Sequence, residues 1–167
     1  EYDNPQTGST WENLKDISNC KYFDISAVSI LDEQMNPKKD FYNSEKIKIK
    51  ISFFINEVHS QMKIQIYVHK YGELVFTAPF FIGLKHNLKK GFYNLICEIP
   101  SYLLSSGNYF LSADSSLYNM EGISDFNYIL NFEIFLDKMK DMPFIETMPG
   151  YVFPQLDWQI EQDNKSV

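Results

Sequence analysis

The most regular pattern in the chain is the alternation of apolar and polar residues along positions 44–55. Lysine or serine fills the places between the apolar residues as far as Ser52. Because successive side chains of a β-strand point to opposite faces, this pattern predicts a strand with one buried and one solvent-facing side. The buried side comprises Ile47, Ile49, Ile51, Phe53 and Ile55. Such a strand needs a second sheet over its apolar face.

The same alternation recurs along the chain, interrupted by polar turns. The predicted strands cover residues 23–31, 44–55, 62–70, 74–79, 92–99, 108–114 and 126–136. A change of phase near Ala27 indicates a β-bulge, and Pro79 places its strand at an edge or ends it, because proline cannot donate to a ladder. About seven strands and no convincing helix predict an all-β fold, an immunoglobulin-like antiparallel β-sandwich.

The phase of the strands also predicts which residues form the core. We expect it to include Ile49, Ile51, Phe53, Ile64, Ile66, Leu111, Leu130 and Phe132. In the last strand the residues predicted to point inward are Phe126, Tyr128, Leu130, Phe132, Ile134 and Leu136.

Composition along the chain divides it into three parts. Residues 1–20 are rich in Asn, Asp, Ser and Thr, with Trp11 as the main apolar anchor, and are interpreted as a linker or loosely packed arm. Residues 21–160 form the predicted sandwich, and residues 161–167 a polar tail. Because the chain starts with Glu1 and not Met, we expect a fragment of a longer protein. No segment reaches the length that spans a membrane.

The charge of the chain argues against nucleic acid as a partner. The formal charge is −7, and all fifteen cations are lysine, diluted by twenty-two carboxylates. Phosphate recognition requires clustered cations and favours the forked guanidinium of arginine. The lysine row of residues 46–50 is better interpreted as a solvated or edge-protecting face.

The sequence contains no pattern that predicts catalysis, a metal site or a cofactor. His59, His69 and His86 lack the spacing of metal ligands, and no Ser or Cys nucleophile motif is present. Asp114, Asp125 and Glu133 could lie close together, as a glycosidase requires, but surface solvation is the better explanation of these residues. The two cysteines, Cys20 and Cys97, are interpreted as buried thiols of a cytosolic protein, with a single disulfide in a secreted protein as the alternative.

The order Ile99-Pro100, Leu103-Leu104, Gly107 and Tyr109 resembles a motif of one known family. It is similar to the "Ile-Pro, Leu-Leu, Gly-x-Tyr" pattern in the C-terminal domain of polysaccharide-exporting ABC-transporter ATPases, the Wzt-like group. The turn and strand of residues 71–76 and the late segment 150–158 also resemble that family. The resemblance extends over residues 23–158.

The resemblance implies an immunoglobulin-like domain that binds a cell-surface polysaccharide or glycolipid glycan, such as O-antigen in lipopolysaccharide biosynthesis. It also implies a cytoplasmic homodimer behind an N-terminal nucleotide-binding domain, peripheral to the inner membrane through the transporter's permease. ATP hydrolysis would belong to that N-terminal domain, because no Walker motif occurs here. The apolar segment 142–158 fits a dimer contact or packing within one chain. The alternative functions are a structural or adhesive immunoglobulin-like domain and a glycoside-active enzyme.

Three strands, 62–70, 108–114 and 126–136, are expected to neighbour one another in one sheet, so that their outward residues converge. Aromatic faces and short polar groups on that surface suit sugars, which present C–H faces rimmed by hydroxyls. The alternative interpretation is an ordinary solvated face. The candidate carbohydrate-binding residues are Tyr67, His69, Phe110, Asp114, Asn127 and Asn131, with Trp158 marking an alternative site at the loop end.

Overall fold

The structure is a computed structural model that describes residues 8–85, 87–137, 149–154, 156, 158 and 160. The predicted polar tail 161–167 and much of the segment 142–158 lie outside the described residues. Within the described part of the chain, no helix is long and apolar enough to cross a membrane.

Nine β-strands make up nearly all of the regular structure that is described. They are β1 Thr10–Glu12, β2 Phe23–Leu31, β3 Asp40–Tyr42, β4 Ile47–Ile55, β5 Met62–Lys70, β6 Glu73–Phe81, β7 Gly91–Ile99, β8 Gly107–Leu117 and β9 Glu121–Phe135. The two helical segments are single 3₁₀ turns at Ile17–Asn19 and Ile82–Leu84.

The strands form two sheets that pack face to face as a β-sandwich. The first sheet has the order β1-β2-β4-β7, and the second has the order β3-β9-β8-β5-β6. Neighbouring strands are antiparallel, apart from the short parallel pair of β3 and β9. The predicted sandwich is therefore confirmed, and so is the adjacency of β5, β8 and β9.

The alternating residues of each strand supply the core between the sheets. All five inward residues of β4 are buried, as are the eight residues that the sequence predicted for the core. Tyr109 and Phe132 are fully enclosed and stack at 5.4 Å between ring centroids. Burial of this apolar surface is the main favourable contribution to folding.

Several local predictions are confirmed. The pairing of β2 with β4 shifts register between Ile25 and Ala27, where the sequence indicated a bulge. The strand that contains Pro79 is β6, which lies at the edge of the second sheet.

Other local features differ from the prediction. Part of the expected arm forms β1, with Trp11 packed against the core, and β3 lies between residues 31 and 44, where no strand was predicted. Both strands are only three residues long, too short for alternation to be recognised. Leu136 follows the end of β9 and is half-buried. The two cysteines are unpaired and partly, not fully, buried.

Tyr128 was predicted to point inward, and this is wrong. Between the register pairs Leu111–Leu130 and Ala113–Phe126, β9 advances by four residues and β8 by only two, so β9 bulges here. Tyr128 takes up the excess with a positive φ of 52°, and its N–H donates to Ser112 Oγ at 2.8 Å. This bulge places Ile129 in the core and leaves Tyr128 half-buried on the outer face of the second sheet.

Candidate functional site

The outer face of the second sheet contains a groove of about 640 Å³ across β5, β8 and β9. In this sheet β5 pairs with both β6 and β8, and the part of β9 that lines the groove pairs with β8. The lining residues are Tyr67, His69, Asp114, Ser115, Ser116, Gly122, Ile123, Ser124, Asp125 and Asn127. The groove therefore lies on regular sheet structure and not on loops.

Aromatic rings form a row along one end of the groove. The His69 ring lies 4.9 Å from the Tyr128 ring and 6.4 Å from the Tyr67 ring, measured between centroids. Phe110, which is opposite His69 in the strand register, contacts Tyr128 edge-on at 6.0 Å. The row presents apolar ring surface beside polar atoms, as a surface that binds an amphipathic ligand requires.

Tyr67 and Asp114 are joined by a short hydrogen bond, in which the phenol O–H donates to Asp114 Oδ2. Burial raises the pKa of Tyr67 well above its ordinary value, and the hydrogen bond to Asp114 and the nearby charges raise it further. The phenol is therefore a proton donor throughout the physiological pH range, and it fixes the orientation of the Asp114 carboxylate.

The groove contains two carboxylates in direct opposition. Asp114 on β8 and Asp125 on β9 are register partners, and both line the groove. Like charges opposite each other across a strand pair are destabilising by a few tenths to about 1 kcal/mol. No lysine is among the described lining residues, and the chain has no arginine. The pair is therefore not neutralised by the residues around it.

Three polar atoms at the groove are shielded from solvent and have no hydrogen-bond partner among the described residues. They are His69 Nδ1, Asp114 Oδ1 and Ser116 Oγ. Burial lowers the pKa of His69 below its ordinary value of 6.5, so the imidazole is neutral at neutral pH. A buried polar group without a partner costs about 1–3 kcal/mol. Three polar groups at this one groove therefore have hydrogen-bonding capacity that the described residues do not use.

The structure brings most of the predicted site residues together. Tyr67, His69, Asp114 and Asn127 line the groove. Phe110 and Asn131 are register partners on the same face, continuing the row that starts at His69. The exception is Trp158, which is 87% exposed on the C-terminal segment and is not part of the groove.

The residues that sequence reasoning left out of the candidate binding set include Asp125, Tyr128 and Ser116. Strict alternation assigned Tyr128 to the core, and no feature of the sequence marks the bulge that turns it outward. Ser116 was placed beyond the end of its strand. The alternation of Leu111, Ala113, Ser115 and Leu117 would have extended β8 to its true end, because serine is small enough to occupy an inward position.

A second cleft, of about 630 Å³, lies at the end of β5 around Lys70 and residues 149–151. Lys70 is 3% exposed, and its ammonium donates to Ser105 Oγ at 2.9 Å and to the Ser106 carbonyl at 2.7 Å. Burial lowers the pKa of Lys70. Ser105 in turn donates to the Gly150 carbonyl at 2.5 Å. In contrast to the groove, this cluster is internally satisfied.

The motif that carried the family resemblance lies around this lysine, not at the groove. The Tyr109 hydroxyl is buried and donates to the Ser105 carbonyl at 2.8 Å. Gly107 has a φ of 133°, and a Cβ there would lie 2.8 Å from Lys70 Cε. The glycine is thus required for the backbone to pass the lysine, and the tyrosine for closing the corner before β8. These residues shape the corner that leads into β8.

Comparison with known proteins agrees with the fold. No protein-family model matches this chain, and no curated protein matches it. Among solved structures, it is similar to the C-terminal domain of Wzt, with a TM-score of 0.63, 12% identity, and coverage of 96% of this chain and 93% of that one. A CARDB domain from Pyrococcus furiosus in complex with di-metal ions gives a TM-score of only 0.35 at 15% identity, covering 70% of this chain and 94% of that one. At such identities the likeness shows the fold alone.

Among the described residues, no group of three or more His, Cys, Asp or Glu side chains is arranged to hold a metal ion. By its fold and its groove, this chain is a β-sandwich domain with a polar and aromatic groove on its second sheet. Its fold is similar to that of the C-terminal domain of Wzt.

Proposed function

We propose that this chain is a non-catalytic carbohydrate-binding domain, and that the groove across β5, β8 and β9 binds a cell-surface polysaccharide. The observation that carries the proposal is the combination, in one groove, of the aromatic row with His69 Nδ1, Asp114 Oδ1 and Ser116 Oγ, which lack partners. Either feature alone occurs on ordinary surfaces. Together they match a ligand that has apolar faces and a rim of hydroxyl groups.

The chemistry of the groove suits a sugar ring. The C–H face of a pyranose stacks on the rings of the aromatic row, and its hydroxyls both donate and accept hydrogen bonds. Each such hydrogen bond contributes about 0.5–1.5 kcal/mol net. A short glycan should therefore bind weakly, and a polymer should gain affinity by offering many equivalent positions.

The resemblance to the Wzt-like group supports a wider setting for this binding. In that setting the domain is a homodimer, joined to an N-terminal nucleotide-binding domain and, through it, to the membrane permease of an ABC exporter at the cytoplasmic side of the inner membrane. The polysaccharide, of the O-antigen kind, is the exporter's cargo. Leu156, Trp158 and Ile160 are strongly exposed and fit a contact between subunits.

A second candidate function is glycoside hydrolysis, which one observation favours. Asp114 and Asp125 are opposed carboxylates in the groove, and glycosidases use two carboxylates that flank the scissile bond. Against it, Asp114 already accepts the hydrogen bond from Tyr67, which makes it a fixed acceptor.

The test is calorimetric titration of the purified domain with the surface polysaccharide of its source organism, with release of reducing ends assayed on the same samples. We expect binding without cleavage. Tyr67→Ala and Asn131→Ala should each weaken binding while the melting temperature stays near that of the wild type. Tyr42→Ala is the matched control, because Tyr42 is an exposed tyrosine of the same sheet outside the groove.

Each other result selects a different function. Cleavage would establish the enzyme, and neither binding nor cleavage would leave a structural or adhesive domain. Wild-type affinity in both groove variants would place the glycan site elsewhere on the molecule.

A further inference from the structure

We propose that the groove selects glycans by charge: it accepts uncharged or amino-bearing sugars and rejects sugars that carry carboxylate, phosphate or sulfate. This inference rests on the proposed function, because it specifies the ligand of the same groove. It follows from two independent properties of the groove, its fixed charges and its inventory of hydrogen-bond donors and acceptors.

The fixed charges of the groove are negative. Asp114 and Asp125 face each other across β8 and β9, and both line the groove. Tyr67 holds Asp114 through its hydroxyl, so the carboxylate cannot turn away from an incoming ligand. Two unit charges about 4 Å apart interact by about 1 kcal/mol even at the dielectric constant of water, and more strongly in a partly enclosed groove.

No cation is among the described residues that line the groove. Lys63, opposite Ser116, lies on the same face outside that lining, and its ammonium donates to Gln65 Oε1 at 2.9 Å. His69 is enclosed beside the groove, where burial opposes its protonation. An acidic sugar would therefore meet two carboxylates and no counter-charge within the groove.

The hydrogen-bonding inventory leads to the same selectivity. Asp114 Oδ1 can only accept, and Ser116 Oγ and a ring nitrogen of neutral His69 can accept or donate. The ligand must therefore supply at least one donor. Sugar hydroxyls and ammonium groups are donors, whereas an ionised carboxylate is an acceptor only. An ionised carboxylate placed against Asp114 Oδ1 therefore leaves that oxygen without a donor, whereas a hydroxyl or an ammonium group satisfies it.

The test compares two forms of one polysaccharide. The polysaccharide that binds is oxidised mildly at its primary hydroxyls, which converts them to carboxylates without changing the linkages. Dissociation constants for both forms are measured at about 20 mM and at about 0.5 M salt, where charge interactions are screened. We expect the oxidised form to bind roughly fivefold to tenfold more weakly at low salt, and the difference to shrink at high salt.

A variant separates charge from shape. Asp125→Asn keeps the size of the side chain and removes its charge, so it should reduce the discrimination between the two forms at low salt. Tyr42→Ala should leave that discrimination as in the wild type. Equal or tighter binding of the oxidised form at low salt would overturn the inference while the proposed function stands. A difference that neither salt nor Asp125→Asn alters would be steric and would also overturn it. Failure of the unmodified polysaccharide to bind would overturn the proposed function itself.

Discussion

Two polar pairs lie one residue apart on the same two strands, and they differ in whether their hydrogen bonds are made. Ser115 and Ser124 are register partners that point inward, and both donate to the carboxylate of Asp24, at 2.9 and 2.7 Å. Asp114 and Asp125 are register partners on the groove side, where one oxygen of Asp114 has no described partner.

The inner pair, Ser115 and Ser124, belongs to a buried polar cluster whose hydrogen bonds are made and which stabilises the fold. Asp24 belongs to the first sheet and the two serines to the second, so the carboxylate links the sheets. It also accepts the Ile25 N–H at 2.8 Å. Such a satisfied network fixes the relative position of the sheets.

The outer pair has the opposite character. It opposes like charges, leaves an acceptor unused and has no described lysine in the groove to neutralise it. Nothing in the fold requires this arrangement, because neutral residues would pair at lower cost on a surface strand. The contrast teaches that stability resides in the inward residues of β8 and β9, whereas the outward residues form the groove for which binding is proposed.

The largest expected effect is on the free energy of unfolding, and it tests whether the inward residues of β9 stabilise the fold. Phe132 is fully buried between Tyr109 and Phe41. Phe132→Ala should lower the free energy of unfolding by about 3–5 kcal/mol, because it removes apolar contacts and leaves a cavity. Urea denaturation followed by fluorescence measures the change.

The matched control for that variant is Phe135→Ala, on the same strand but 44% exposed. It should cost less than about 1 kcal/mol. Similar losses in the two variants would contradict the division between inward and outward residues on β9.

The second effect compares the buried carboxylate of Asp24 with the groove carboxylate of Asp114. Asp24→Ala should lower the free energy of unfolding by about 2–4 kcal/mol, because the hydroxyls of Ser115 and Ser124 lose their acceptor inside the protein. Asp114→Ala should change it by no more than about 1 kcal/mol, since one hydrogen bond is lost and one charge repulsion is relieved. Chemical denaturation of both variants under one set of conditions gives the comparison. A larger loss in Asp114→Ala would show that the groove carboxylate is structural.

Alternation predicted the inward residues well for a physical reason. One face of each strand must be apolar because it is buried, and this produces an alternation that can be seen in the sequence. Residues such as Ile49, Ile64 and Leu130 were identified as buried in this way. The adjacency of β5, β8 and β9 then followed from the sandwich, and it brought Tyr67, His69 and Asp114 to one groove.

The rest of the site depends on features that alternation does not encode. Tyr128 reaches the groove through a bulge, and the opposition of Asp114 to Asp125 depends on register within a strand pair. A shift of one residue would send Asp125 to the other face. The motif at Gly107 and Tyr109 was recognisable because the fold needs it, so it identified a fold and left the ligand open.

The smallest expected effect concerns the protonation of His69, the one imidazole among the described residues that line the groove. Its pKa in the folded protein is below the ordinary 6.5, because burial disfavours the charged ring. Above pH 6.5 both folded and unfolded chains carry a neutral His69. As the pH falls through 6.5, the unfolded chain binds the proton first, so this group lowers stability progressively toward acid.

The wild type should therefore lose stability relative to His69→Gln below pH 6.5. The control is His59→Gln, which removes a different imidazole and keeps His69, so it should lose stability below pH 6.5 as the wild type does. Imidazole resonances followed by NMR against pH give the midpoint itself. A midpoint above 6.5 would mean that the charges of Asp114 and Asp125 outweigh burial at His69, and the groove would then carry a cation that neutralises them.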